Sequence, residues 1–375
     1  MKVLHIISSG GMYGAEAVIL NLLRITRDTP NPAALGIFYN TKNPNRQFFD
    51  AAMREGFSPQ VIQCDSQFDR NTITAIRELA AREQADVIHA HGYKADIYCY
   101  LAMRGTPTPL VSTCHTWYDT DVIVTLYGKL DRFILRSYTR IVAVSDEVRQ
   151  RLLDAGVQPG KIHIVRNGID LRPFNRPRVS AGDATRDLVV GLVGRLAWEK
   201  GVDLYLAAAA KVLGEFPTAR FVAIGEGPDR DKLNAQIDQL GISGRAELLG
   251  RREDMPTAYA SLDVMVSASR QEGLPMAILE GMASHLPLVA TSVGEIPKLI
   301  FDQQTGLLVP PDNVDALAAA IVTMLRDSAL RDRLSAAARK LVENEYSADR
   351  MAADYLRVYE EALAAPNSDL KGPAR

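Results

Sequence analysis

Cysteine is scarce in this chain: Cys64, Cys99 and Cys114 are three in 375 residues, widely spaced and odd in number. They form neither a disulfide framework nor a metal-ligand pattern, so they read as reduced thiols of a cytosolic protein. Net charge is equally slight. The formal total is −2, with 19 basic and 16 acidic side chains in residues 1–168 against 24 and 29 in residues 169–375. Nucleic-acid binding calls for a strongly basic face, and none is offered. No apolar run approaches the ~20 residues of a membrane span. The opening MKVLHIISSG holds one lysine and a short apolar run, too brief for the core of a signal peptide, and is expected to be a buried first strand.

What the chain does hold is aliphatic sequence in quantity. At about 150 residues per domain, a chain of this length implies two cores rather than one. The first strand, Val3 to Ile7, runs into Ser8-Ser9-Gly10-Gly11-Met12-Tyr13-Gly14-Ala15-Glu16 and then a helix ending near Arg27. Strand, glycine-rich turn and helix is the geometry by which nucleotide-binding α/β folds approach phosphate, although the spacing here is not G-x-G-x-x-G. Short apolar strands then alternate with helix-like segments at 35–39, 61–63, 86–91, 110–115, 141–144 and 162–165. Such alternation implies parallel strands joined by helices. A Pro-, Gly- and Arg-rich stretch over 169–186 reads as a linker, after which the rhythm restarts at 188–193, continues at 221–224 and 262–266, and closes at 288–290 and 306–309. The expected organisation is α/β: one Rossmann-like domain over 1–168, a second over 187–346, a final helix over 347–364 and a disordered tail over 365–375. Ligands are expected where the carboxyl ends of the two parallel sheets face across a cleft.

The stretch Ser267 to Ala283, SASRQEGLPMAILEGMA, is the centre of the candidate chemistry. A strand precedes it, a loop holds Glu272, Gly273, Leu274 and Pro275, and a helix with apolar residues at Met276, Leu279 and Met282 carries Glu280 in its second turn. A helix N-terminus offers unpaired N–H groups to an anion, and a neighbouring glutamate accepts hydrogen bonds from hydroxyls, so the segment suits a phosphorylated sugar. Surface exposure is the commoner fate of any one glutamate. Glu280, however, stands between Leu279 and Gly281 in a strongly apolar helix, where a carboxylate suits a ribose diol. In VGRLAWEKG, Gly194 and Arg195 end a strand and Lys200-Gly201 opens the next helix. Two cations at a strand's carboxyl end suit a diphosphate, with a solvated loop as the competing reading. Gly225-Glu226-Gly227 is a weaker signal of the same kind, since a tight βα turn needs glycine too.

Other residues carry plainer readings. His89 and His91 end a strand with both rings on one face. A metal site needs a third ligand and no cysteine or acid adjoins, so these are expected to line the cleft and no metal site is expected. His115 ends the next strand, with a structural hydrogen-bonded histidine as the alternative to a cleft role. The D-x-D triplets at Asp119 and Asp229 have the form that elsewhere holds a divalent cation; both read as coincidence, the second as acidic helix capping. Residues 122–140 place Leu126, Leu130, Phe133 and Ile134 on one helical face, with Lys129, Arg132, Arg136 and Arg140 as a basic stripe. This is either a core-packing helix with a charged outer face or one that lies on an anionic membrane.

Taken together and in order, GGMYGAE, HAH, STCHTWY, AVS, RNGID, VGRLAWEKG, IGEGPDR, EGLPMAILEGMA and TGLLV resemble the retaining GT-B glycosyltransferases of family 4 over nearly the whole chain. The resemblance implies transfer of a sugar from a nucleoside-diphosphate sugar to an acceptor with retention at the anomeric carbon, using neither metal nor cofactor. It places Gly11 where a glycine-rich loop approaches the donor phosphate, and makes Arg195 and Lys200, beside Gly194, the diphosphate cations. Glu272 is then the contact to the donor sugar, with backbone of Gly273, Leu274 and Pro275 alongside. Glu280 holds the ribose, His115 lies near the transferred sugar, and the C-terminal helix returns to the first domain. One departure bears on donor choice: Glu295 and Lys298 stand where the family commonly has a second glycine and an acid.

The expected protein is a cytoplasmic glycosyltransferase that uses a glycan or lipid-linked acceptor in polysaccharide or lipopolysaccharide synthesis, and it is peripheral at the inner face of the membrane only if 122–140 is the membrane-lying helix rather than the core-packing one. The leaving diphosphate takes the acceptor's proton, cations stabilise its charge, and Glu272 positions rather than attacks. The alternatives are another sugar-nucleotide enzyme, such as an epimerase or phosphorylase, and a catalytically silent sugar-nucleotide-binding scaffold.

Overall fold

The computed structural model describes residues 1–9, 11, 14–66, 69–114, 122–175, 187–272 and 275–365. The chain divides into two compact units: Met1–Gly168 with the segment from Ala348 onward, and Ile169–Ser347.

The first unit is built on strands β1 (Val3–Ile7), β2 (Ala34–Tyr39), β3 (Gln60–Gln63), β4 (Val87–His91), β5 (Leu110–Cys114), β6 (Arg140–Ala143) and β7 (Ile162–Ile164). They form one parallel sheet in the order β3-β2-β1-β4-β5-β6-β7. β1, β4 and β5 are buried along their whole length. A parallel sheet covered by helices on both faces demands this, which is why these strands read as continuous rather than alternating apolar runs. On one face Val3, Val87, Val111 and Val142 pack against Val18 and Leu22 of the helix Gly14–Thr26 and against Met351, Tyr355 and Tyr359 of the helix Ala348–Ala364. The C-terminal helix thus supplies core to the first sheet. At about 1.5–3 kcal/mol for each large apolar side chain buried, that sheet depends on it.

The second unit holds β8 (Val189–Val193), β9 (Arg220–Ile224), β10 (Ala246–Gly250), β11 (Val264–Ser267), β12 (Leu288–Thr291) and β13 (Leu307–Val309), parallel in the order β10-β9-β8-β11-β12-β13. β10 has no counterpart among the expected strands. It is an edge strand with Glu247 exposed, so its sequence AELLG lacks the apolar run that marks the others. The segment 169–175, assigned to a linker from composition, packs into this unit instead. Ile169 donates its N–H to the Tyr346 carbonyl at 2.9 Å, and Ile169 and Phe174 are buried in the core. In both sheets the strand order reverses beside the first strand, at β1/β4 and at β8/β11, the switch point where open α/β sheets place their ligands.

The helix expected over 122–140 ends at Leu135, and Arg140 belongs to β6, where it pairs with Glu361 at 3.5 Å. The four-cation stripe therefore does not form. Ile134 is buried as expected, whereas Leu130 and Phe133 are exposed, Phe133 by 51%. The side chains of Leu126 and Lys129, and the triplet at Asp119, lie outside the described residues. Asp229 does stand at the start of the helix Arg230–Gln239, without a side-chain capping bond. The three cysteines are buried free thiols, and among the described residues no helix is long and apolar enough to cross a membrane.

Candidate active site

At the switch point of the second sheet, β8 leads through Gly194 and Arg195 into a short turn, Trp198–Lys200, while β11 leads through Ser267 into the loop carrying Glu272. Lys200 Nζ and Glu272 Oε1 meet at 2.6 Å although 72 residues separate them. Ser269 Oγ donates to the same carboxylate oxygen at 2.7 Å. The Glu272 side chain is 8% exposed and that of Lys200 26%, so the pair is partly desolvated and still open to a ligand. Gly194 lies against the aliphatic stem of Lys200. Glu272 is also held from behind. Gly294 follows β12 with φ +53, and a Cβ there would lie 1.9 Å from the Glu272 carbonyl oxygen, so glycine is required for this close approach. The neighbouring Glu295 and Lys298 pair with each other at 2.8 Å.

Pro275 stands at the head of the helix Met276–Ala283, where among the described residues no side chain caps the first turn; the Ile278 N–H turns back to the Pro275 carbonyl at 3.0 Å, and the N–H groups ahead of it suit an anion. One turn on, Glu280 accepts a hydrogen bond from the buried Tyr259 hydroxyl at 2.6 Å. Burial raises the Glu280 carboxyl above its usual range, and the Tyr259 hydrogen bond works against that rise. Tyr259 is the residue that sequence reasoning missed. It sits in a six-residue helix, Met255–Ala260, with no motif around it to mark it.

Arg195 does not join the Lys200–Glu272 pair. Its side chain is 66% exposed and lies 3.8 Å from Glu199. Gly225 and Gly227 pack on the backbone of Gly194 and Leu196, so that glycine signal belongs to chain packing. Gly11 belongs to the first unit, where Ser9 Oγ sits 2.8 Å from its carbonyl and 2.7 Å from Glu16 Oε1. His115, Gly273 and Leu274 lie outside the described residues.

The histidines of the first unit are arranged otherwise than expected. The third ring that the sequence argument found lacking is His5, which stands opposite His89 in the β1–β4 register. The ligand atoms of His5, His89 and His91 lie within 4.8 Å of one another, and all three residues are buried. His5 Nδ1 and His91 Nε2 are 3.0 Å apart. His89 uses both nitrogens, Nδ1 with the Tyr359 hydroxyl at 2.8 Å and Nε2 with Thr113 Oγ1 at 2.7 Å. Burial pushes His5 down to about 3. His5 is therefore held neutral, and His89 ties the C-terminal helix to the sheet through Tyr359; all three rings lie in the core rather than lining a cleft.

Residues 187–327 match the family model described as Glycosyl transferases group 1, and residues 37–172 that described as Glycosyltransferase Family 4. The chain is 27% identical over 352 residues to the UDP-Gal:alpha-D-GlcNAc-diphosphoundecaprenol alpha-1,3-galactosyltransferase of Escherichia coli, covering 88% of this chain and 89% of that one. It is 28% identical over 360 residues to the phosphatidyl-myo-inositol mannosyltransferase of Mycolicibacterium smegmatis, covering 94% and 91%. In fold it is similar to Anabaena Alr3699/HepE, crystallised with UDP, at a TM-score of 0.81 and 21% identity over 96% of this chain and all of that one.

Proposed function

The chain belongs to the group 1, family 4 glycosyltransferases of GT-B fold, and from that premise we propose that it moves a sugar from a nucleoside-diphosphate sugar to a glycan or lipid-linked acceptor with retention. The observation that carries this reading is the part-exposed Lys200–Glu272 pair beside the uncapped head of Met276–Ala283. In this reading Lys200 and the helix N–H groups take the charge that develops on the leaving diphosphate, with Arg195 reaching in from the rim. Glu272, fixed by Ser269 and Lys200, accepts hydrogen bonds from the sugar hydroxyls. Glu280, oriented by Tyr259, accepts them from the ribose. The family resemblance gives the acceptor to the first unit, with Gly11 at the donor phosphate and His115 near the transferred sugar, and a diphosphate oxygen accepts the acceptor's proton, so neither a metal nor a cofactor is required. Similarity to enzymes whose names specify a diphosphoundecaprenol-linked and a phosphatidyl-inositol acceptor supports a role in polysaccharide or lipopolysaccharide assembly at the cytoplasmic face of the membrane. Exposed Leu130 and Phe133, with the Arg136 guanidinium 5.9 Å from the Phe133 ring, are the surface through which it rests there.

The test is a thermal-shift panel of UDP-, GDP-, ADP- and dTDP-sugars followed by an assay for release of the nucleoside diphosphate on the one that binds. At donor concentrations below the wild-type KM, Lys200→Ala and Glu280→Ala are expected to abolish release and retain the fold. Full turnover in both variants overturns the assignment.

A further inference from the structure

Arg270 sits two residues before Glu272, and its bonds run to Asp312 and to the 198–203 segment. Its guanidinium donates from Nη1 to Asp203 Oδ1 and from Nη2 to Asp203 Oδ2, both at 2.8 Å, and from Nε to Asp312 Oδ1 at 2.7 Å. A further bond runs from Nη1 to the Trp198 carbonyl at 2.9 Å. Its own N–H donates to the Glu199 carbonyl at 2.8 Å. The guanidinium carbon lies 5.3 Å from the centre of the Trp198 ring, and the side chain is 11% exposed. Its partners at Trp198, Glu199 and Asp203 bracket Lys200 on both sides. Burial works to raise the Asp203 carboxyl, and the bonds and charge of Arg270 outweigh it and hold that carboxyl below its usual range.

The two loops also touch backbone to backbone. Gly201 has φ +62, and a Cβ on it would lie 2.0 Å from the Ala268 carbonyl oxygen, so no larger residue fits between them. Thr291 Oγ1 donates to the Ser269 carbonyl at 2.5 Å, fixing the second loop to β12.

We infer that Arg270 is a positioning residue for donor binding. It clamps the 198–201 turn to the 269–272 loop and so sets Lys200 and Glu272 at their working separation. A planar fork with five donors suits this bridging, and a lysine cannot replace it. Removing the fork lets the two loops part by a fraction of an ångström, and such misplacements cost up to about a hundredfold in well-oriented sites. The inference rests on the reading that Lys200 meets the donor diphosphate.

The test is a double-mutant cycle read by calorimetry on the intact chain, with UDP, GDP, ADP and dTDP as probes. The nucleoside diphosphate that binds the wild type is titrated into Arg270→Gln, Lys200→Ala and the double variant, with melting curves for each. Arg270→Gln is expected to weaken binding about tenfold when Lys200 is present and less than about twofold when it is absent. Arg270→Lys is expected to recover less than half of the logarithmic loss. Asp203→Asn, which breaks the same fork from the other side, is expected to reproduce the Arg270→Gln pattern and serves if that variant fails to fold. A fall in melting temperature with unchanged affinity, equal losses in both Lys200 backgrounds, or full rescue by lysine each overturns the inference. Failure of the wild type to bind any of the four probes overturns the functional reading and this inference together, whereas additive losses on a binding wild type overturn the inference alone.

Discussion

Each unit gathers polar side chains near the switch point of its sheet, and the two gatherings differ in charge and in closure. In the first unit three imidazoles, Thr113 and the hydroxyls of Tyr355 and Tyr359 join one another inside the core. In the second, a full positive and a full negative charge meet at a rim that water reaches. A buried hydrogen-bonded network contributes to folding because each lost partner strands a polar group away from water. A part-exposed ion pair contributes little to folding, but it is preorganised to meet a charged ligand. On the proposed function, the contrast separates residues that hold the chain from residues that work.

The largest effect expected from breaking this contrast falls on the second unit. Lys200→Ala is expected to lower turnover about a thousandfold, while the melting temperature falls by no more than about 3 °C, because Glu272 keeps Ser269 Oγ and the shortened side chain at 200 admits water to its carboxylate. Steady-state rates and melting curves on one preparation check both halves. The reverse pattern belongs to His89→Ala. It strands the Tyr359 hydroxyl and Thr113 and opens a cavity, an expected loss of about 3 kcal/mol in denaturant unfolding. Nucleoside-diphosphate affinity of the folded fraction stays at the wild-type value. If His89→Ala weakened that affinity tenfold, the division of labour between the clusters would be wrong.

Acid sharpens the same comparison. His5 binds a proton in the unfolded chain near 6.5 and in the folded chain only near 3. Stability from its neutral form is therefore present above about pH 6.5 and is lost as pH falls through that window. By pH 5 the loss is about 2 kcal/mol, and it disappears in His5→Asn. The groups facing His5 are His89 and His91. Urea unfolding of both proteins at pH 7.5 and pH 5 measures it, and equal losses in the two proteins would assign the acid sensitivity elsewhere. A metal titration run alongside shows whether the three rings also take zinc, which requires His89 to release one of its two hydroxyl partners.

Much of this was legible in the chain itself. Strands such as Val3–Ile7 and Val264–Ser267 announce themselves because both faces of a parallel sheet are covered, so each run is apolar but for one position, His5 in the first and Ser267 in the second. β10 did not, because an edge strand bares one side and carries Glu247. The Pro and Arg of segment 169–175 describe a loop, whereas its place in the fold is decided chiefly by the burial of Ile169 and Phe174. Lys200 and Glu272 were each legible from motif and type; their contact was not, since it follows from β8 and β11 lying side by side across 72 residues of sequence. His5 was hidden inside an apolar run, and only the β1–β4 register brings it to His89. Arg270 had no signal beyond its position two residues before Glu272.

A smaller effect separates orientation from charge at Glu280. Tyr259→Phe removes the hydroxyl that fixes one carboxylate oxygen and keeps the ring that packs on Phe174. Donor KM is expected to rise about fivefold with kcat within twofold, because the ribose is bound equally in ground and transition states. A fall in kcat with KM unchanged would move Glu280 into the chemistry.

The smallest effect has the opposite sign. Burial raises the Glu280 carboxyl, so its folded form favours the protonated state. Its stability contribution is present below the unfolded carboxyl range and is lost as pH rises through the folded value, which leaves a cost at neutral pH. Glu280→Gln keeps the shape and the Tyr259 bond and removes the charge, so it is expected to melt about 1–3 °C higher than wild type at pH 7.5. The gain should shrink toward pH 4, where the wild-type carboxyl is itself neutral, and donor affinity should fall throughout. A variant that melts lower at pH 7.5 would mean that the carboxylate is retained for the fold, and would place Glu280 with the histidines of the first unit rather than with Lys200.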